Sequence, residues 1–210
     1  MSKEYHKINS IFKRDEKTKG FTKEYSLPEF EFLKDNLWEF TEKIDGTNVR
    51  IIWDDEELKF GGKTDNAQMP MKLLEKLQSI FTKDKMKEFF PDGRVCLYGE
   101  GFGVKIQSGG KYIQDGVDFI LFDVLIDGWW LNRNSVEDIS NKLEIKIVKL
   151  IGEGNLNDAI EISKKGFNSE FGEFIAEGIV LRPKVQLFSR NGNRIISKIK
   201  YKDKFHEENS

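Results

Sequence analysis

A strand-rich block early in the chain limits what it can fold into. Residues 38–43 (WEFTEK) and 48–53 (NVRIIW) are dense in aromatic and β-branched side chains, and 58–60 (LKF) follow the acidic turn Asp54-Asp55-Glu56-Glu57. Such runs read as strands. With Asp45-Gly46 as a tight turn, the block is expected to be a three-stranded meander. Downstream, Leu73, Leu74, Leu77, Ile80 and Phe81 recur at helical spacing over 70–81, and a second short helix is expected over 83–90. Strands are expected at 94–100, 118–126, 145–150, 178–182 and 195–201, with a turn at Asp127-Gly128 leading into Trp129-Trp130. Ser135 is the expected N-cap of a helix to Leu143, and Asn155 or Asn157 that of a helix reaching Lys165. Strands in blocks with helices between them, without regular βαβ alternation, give an α+β class with largely antiparallel sheets.

Composition narrows the setting. The chain has 210 residues, 38% hydrophobic and 33% charged, with a formal net charge of −2. That suits a globular protein with a sizeable core. No apolar run approaches the length of a membrane span. One cysteine, Cys96, in an apolar run, excludes an internal disulfide and is expected to be a buried thiol. His6 and His206 alone cannot build a zinc site. A reducing cytoplasm is the expected compartment, that of the host cell if the chain is phage-encoded. Residues 1–24 read as a polar, lysine-rich N-terminal arm. Between Arg182 and Lys204 stand eight basic residues and one acid, Asp203, a local charge suited to phosphates.

Phosphate-loop signatures fail. Gly62-Lys63-Thr64 has the ending of a P-loop, but Glu57 stands where its first glycine belongs; no G-x-G-x-x-G opens a helix after a strand. Lys43, in Glu42-Lys43-Ile44-Asp45-Gly46-Thr47-Asn48, offers other chemistry. An amine can act as a covalent nucleophile when its lone pair is exposed, and neighbouring cations favour that. Lys198 and Lys200, at i and i+2, share one strand face. If that strand lies beside the Lys43 strand, three cations gather at one place, suited to a triphosphate with a divalent metal. Glu100 and Glu177, at strand ends, are candidate carboxylates for the metal or a ribose.

The ordered set resembles the covalent nucleotidyltransferase superfamily of ATP-dependent ligases and capping enzymes. Within it, the resemblance is to ATP-dependent RNA ligases of the phage and RNA-editing type. Lys43-Ile44-Asp45-Gly46 is similar to the first family element, with Glu42 and Thr47-Asn48 pointing to RNA ligases. Residues 61–68 (GGKTDNAQ) resemble the second, although Lys63 stands where the family has a ribose-contacting arginine, and a lysine lacks the planar fork. Residues 97–103, 119–124, 177–182 and 198–200 resemble the remaining elements. The resemblance implies an adenylyltransferase (nucleotidyltransferase) fold, ATP-grasp-like, of packed sheets flanked by helices. It is expected as a single domain over 1–210 without an OB or helical C-terminal domain.

It also implies a reaction: lysyl-AMP formation from ATP with Mg2+ or Mn2+, AMP transfer to an RNA 5′-phosphate, and sealing by a 3′-OH. The implied catalytic residues are Lys43, Lys198, Lys200 and Asp45, the last in the RNA-joining steps. Glu42 would read the adenine edge and Phe119 stack on the base, with Phe122 in the core. Lys63 and Glu100 would meet the ribose, while Asn48, Glu177 and Glu100 hold the metal through water. Lys198 and Lys200 would also bind the phosphates. The glycine-rich loop 101–110 would lie close to a nucleic-acid backbone, with Lys105 and, just after it, Lys111 as phosphate contacts, and Arg182 would also contact nucleic acid. RNA ends are the expected partner, with no membrane. The chain is expected to be a monomer, and to join RNA best with a protein partner supplying RNA binding. A minimal DNA ligase and a non-catalytic nucleic-acid end-binding module remain as alternatives.

Overall fold

A computed structural model describes residues 4–203; Lys204 and His206 lie outside them. In chain order the elements are β1 (Asn9–Ser10), β2 (Phe12–Arg14), β3 (Phe21–Tyr25), α1 (Pro28–Phe32), β4 (Trp38–Glu42), β5 (Thr47–Asp54) and β6 (Glu57–Gly61). Then come α2 (Met71–Ile80), α3 (Lys83–Phe89), β7 (Val95–Gly103), β8 (Val117–Ile126), β9 (Trp129–Trp130) and α4 (Arg133–Leu143). The last are β10 (Lys146–Ile147), β11 (Leu150–Gly154), α5 (Leu156–Lys165), β12 (Gly178–Pro183) and β13 (Ser197–Lys200). The class is α+β, as expected. All strand pairs are antiparallel except β1 with β13 and β8 with β10.

The chain divides into two compact units. The first combines residues 4–5 with 45–148, the second 6–44 with 149–203. The first unit is built on a sheet ordered β10-β8-β7-β5-β6, with β9 on β8. One face of this sheet is apolar: Val49, Ile51, Leu97, Phe119, Leu121 and Val124 form a core with Leu73 and Leu77 of α2 and Val136 of α4. These positions alternate along β5 and β7, as the pleat requires. Two tight turns of this unit, between β5 and β6 and between β8 and β9, have matching backbones. Asp55-Glu56 and Asp127-Gly128 both take positive φ at both central positions, the twist that fits a two-residue hairpin.

The second unit has a sheet ordered β1-β13-β12-β4-β11 and a separate β2-β3 hairpin. Its core joins Trp38, Phe40, Ile179, Leu181 and Ile199 to Leu156 and Ala159 of α5. Ile11 and Phe21 are fully buried in the same core. The N-terminal stretch expected as a polar arm is therefore structural from β1 onward, since its few apolar residues fall where they can be enclosed.

Three other expectations are corrected. Asp45-Gly46 is not a hairpin turn: β4 pairs with β11 and β12, while β5 pairs with β6 and β7. Residues 145–150 are not one strand but the separate β10 and β11, in different sheets. The α4 cap is Asn132, whose side chain accepts the Ser135 N–H at 3.0 Å. At α5, Asn155 caps the helix and Asp158 closes a capping box.

Candidate active site

In the second unit, β12 lies between β4 and β13, so residues distant in sequence meet at one end of the sheet. Gly178 pairs with Lys200 and Ile179 with Glu42. The Lys43 N–H donates to the Gly178 carbonyl at 2.9 Å, and the Tyr201 N–H to that of Glu177, also at 2.9 Å. This backbone frame delivers three charged side chains together. Lys43 Nζ donates to Glu177 Oε2 at 2.5 Å, while Lys200 Nζ pairs with Glu177 Oε1. Gly178 makes the close approach possible: its φ is +155°, and a Cβ there would stand 2.1 Å from the Ile199 carbonyl oxygen.

The expected cluster of cations thus has a carboxylate at its centre. Glu177 bridges the amines of Lys43 and Lys200. Lys198 falls on the same strand face as Lys200, because Ile199 between them is buried in the core. The i, i+2 reading of these lysines holds.

Glu42 differs from its expected role. It is 2% exposed, and both carboxyl oxygens are engaged: Oε1 accepts the Ser169 hydroxyl at 2.5 Å and Oε2 the Glu170 N–H at 3.1 Å. Burial pushes its carboxyl above the ordinary range, against the pull of those two hydrogen bonds. Its side chain fastens the segment before Glu177. Arg182 pairs with Glu39 at 3.4 Å and is not an uncommitted phosphate contact.

In the first unit, the sheet face opposite the core carries the polar candidates. Asn48 pairs with Glu100 in register, so their side chains share that face. Asn48 Oδ1 is buried without a hydrogen-bond partner among the described residues, a cost in the free protein that a ligand's donor or a bound water would relieve. Asp45 is anchored here, its N–H donating to Tyr112 Oη at 3.0 Å. Tyr112 lies just after the glycine-rich loop, which is folded on itself. A Cβ at Gly109 would stand 2.6 Å from Gly103 N, and Gly103 has φ +131°. These glycines serve loop packing; the expected close approach to a nucleic-acid backbone is not what requires them. Lys105 on this loop and Lys111 just after it are exposed.

Phe119 is a correction. It is 2% exposed and lies in the core under α2, its ring edge-on to Phe81. A Cβ on Gly99 would meet that ring at 2.2 Å, so neither face is free for a base. Phe122, expected in the core, lies on the other face. Tyr98 pairs with Asp123 and Gly99 with Leu121, which leaves Phe122 as the extra residue of a β-bulge. Its ring is 5.1 Å from Tyr5, which also stands 5.2 Å from Tyr98 and donates its hydroxyl to Asp123 at 2.6 Å. Tyr98 has the parity of Glu100, so Phe122 belongs to the Asn48–Glu100 face. The bulge breaks strict alternation and is invisible in the spacing. Arg50 was also missed, a buried arginine on this face with the parity of Asn48.

Known structures share this architecture. An ATP- and manganese-bound variant of the RNA ligase of Naegleria gruberi matches with a TM-score of 0.66 at 18% identity, over 82% of this chain and 51% of that one. The same ligase with pyrophosphate matches with a TM-score of 0.64 at 23% identity, over 82% and 52%. The fold is that of the nucleotidyltransferases, and this chain spans about half the length of the ligase it matches. The RNA ligase family model matches residues 36–202. The chain belongs to the RNA ligase family.

Proposed function

We propose that the protein is an ATP-dependent RNA ligase that works through a lysyl-AMP intermediate at Lys43. The supporting observation is the Lys43–Glu177–Lys200 constellation at adjoining strand ends, within a chain of this family. In the first step Lys43 Nζ attacks the α-phosphorus of ATP. An N–P bond forms, the bond to the bridging oxygen breaks, and pyrophosphate leaves with its electron pair. The Nζ proton must depart, and Glu177 Oε2 is already hydrogen-bonded to that nitrogen. Lys200 and Lys198 offset the charge that builds on the phosphates, the main task in phosphoryl transfer. AMP then passes to an RNA 5′-phosphate. A 3′-OH attacks the activated end, the phosphodiester forms, and AMP is released; Asp45 is assigned to these joining steps.

Among the described residues no group of three or more His, Cys, Asp or Glu forms a cage for a metal ion. Asn48 and Glu100, on one sheet face, are assigned to a divalent ion through its water, as suits Mg2+ on a triphosphate, and the family resemblance gives Glu177 the same role. Asn48 Oδ1, buried and without a hydrogen-bond partner among the described residues, fits that task. Such an ion would neutralise charge developing on the phosphate oxygens. Lys63 and Glu100 are assigned to the ribose, and Lys105 and Lys111 to RNA phosphates. No helix among the described residues is long and apolar enough to cross a membrane. The proposed setting is a reducing compartment, where Cys96 stays a thiol.

Intact mass after incubation with ATP and Mg2+ tests this. The expected result is a gain of one AMP, absent with GTP and absent in Lys43→Ala. A folded wild-type protein that gains nothing, or a Lys43→Ala variant that still gains AMP, overturns the reading. Sealing of RNA but not DNA ends separates the RNA ligase from a DNA ligase.

A further inference from the structure

Arg50 is 0% exposed, in the middle of β5. It faces Gly61 of β6 and Tyr98 of β7 in register. Its guanidinium reaches the turn after β6 and grips it twice. Nε donates to the Gly62 carbonyl at 2.7 Å, and Nη2 to Asp65 Oδ1 at 2.7 Å. Between those two anchors the sequence holds only Lys63 and Thr64. The Asp65 N–H donates to Glu4 Oε1 at 3.2 Å, and the Ala67 N–H to the Thr64 carbonyl at 3.1 Å. The turn is thus wrapped on the guanidinium from both sides.

Nη1 is buried without a hydrogen-bond partner among the described residues. A buried charge with an unmatched donor is costly, and an apolar side chain of similar volume would often be as stable or more so. What an apolar residue could not do is hold two anchors of one turn with a planar fork. We infer that Arg50 is a positioning residue for the nucleotide's sugar. It fixes the turn so that Lys63, on a long flexible stem, is presented in one place. This rests on the ligase reading, in which Lys63 meets the ribose. Lys63 there lacks the fork of an arginine, and Arg50 supplies the rigidity from beneath. Pre-positioning limits the ordering cost that binding would otherwise carry.

The test is equilibrium binding of ATP and 2′-deoxyATP by calorimetry, in a Lys43→Met background where AMP cannot be transferred. The parent is expected to prefer ATP. Arg50→Met lowers that preference by roughly 10-fold and Asp65→Asn by roughly 3-fold. Lys63→Ala reaches the same floor, and adding it to Arg50→Met changes little, because coupled residues are not additive. The Asp65 side chain is 76% exposed, so Asp65→Asn decides the matter should Arg50→Met not fold. Undiminished preference in folded Asp65→Asn, additive losses in the double variant, or a parent without preference overturns the inference. The wild-type mass gain with ATP reports separately on the ligase reading; a wild-type chain that binds neither nucleotide overturns both.

Discussion

The two units carry their polar residues by different means. In the second, charge meets charge at the ends of three neighbouring strands, where Glu177 lies between Lys43 and Lys200. In the first, uncharged or partly unmatched groups stand on one face of a sheet whose other face is core: Asn48 Oδ1 and Arg50 Nη1 are buried without partners among the described residues. The second unit answers these three charges within itself. The first holds capacity in reserve, which is what a ligand-binding face needs and an interior does not. The boundary between them falls between Ile44 and Asp45, inside the Lys43-Ile44-Asp45-Gly46 element. One short motif therefore gives one unit Lys43, the proposed nucleophile, and the other an anchored aspartate.

Substitutions can break this contrast, beginning with the largest effect. Lys43→Ala should abolish AMP capture, measured by mass, yet spare sealing of a strand supplied already adenylylated. Loss of both would mean that Lys43 is needed beyond the first step. Glu177→Gln removes the charge that bridges the two lysines and should slow self-adenylylation by about 100-fold, within the range for losing a positioned proton acceptor. A rate within a few fold of wild type would make the bridge incidental.

In the first unit, Phe119→Ala should act on stability alone. It should lower unfolding free energy by about 3–5 kcal/mol, as for an enclosed aromatic ring. The nucleotide affinity of the folded fraction should be unchanged. A selective loss of ATP binding at unchanged thermal stability would return Phe119 to the site.

A smaller effect separates the units by pH. Burial pushes the Cys96 thiol from 9.0 up to about 11. In the unfolded chain the thiol ionises first, so the stability it contributes is complete below pH 9 and is lost as pH rises toward 11. At about 1.4 kcal/mol per pH unit the loss approaches ~3 kcal/mol. Urea titrations of wild type and Cys96→Val between pH 8 and 11 should show the shallower decline in the variant. Parallel curves would show that Cys96 is not buried as described.

Much of this was legible from residue order. The i, i+2 spacing of Lys198 and Lys200 predicted a shared strand face, and Ile199 in the core between them agrees. The Asp127-Gly128 turn, the α2 and α3 helices and the Asn155 cap follow from local chemistry that needs no distant partner. Cys96 is buried, as its apolar neighbours implied. Readings that depended on how strands are shared between sheets failed. Asp45-Gly46 has the composition of a hairpin turn, but a turn residue does not specify which sheet the next strand joins. The resemblance gave Phe119 to the base and Phe122 to the core; the two do lie on opposite faces, as alternation requires, but packing under α2 makes Phe119 the core residue.

By itself, the sequence determined most of the secondary elements from Trp38 onward, the buried thiol and the ordered residues that place this chain among the RNA ligases. Periodicity, turn chemistry and residue type act over a few positions, and those are written directly in the order of the chain. Only the tertiary structure decided that Glu177 lies between Lys43 and Lys200, that Glu42 is bound by Ser169 and Glu170, and that Arg50 grips the turn bearing Lys63. Those contacts join residues tens of positions apart, or depend on which neighbour a side chain meets across a sheet. Strand register, and not local preference, sets them.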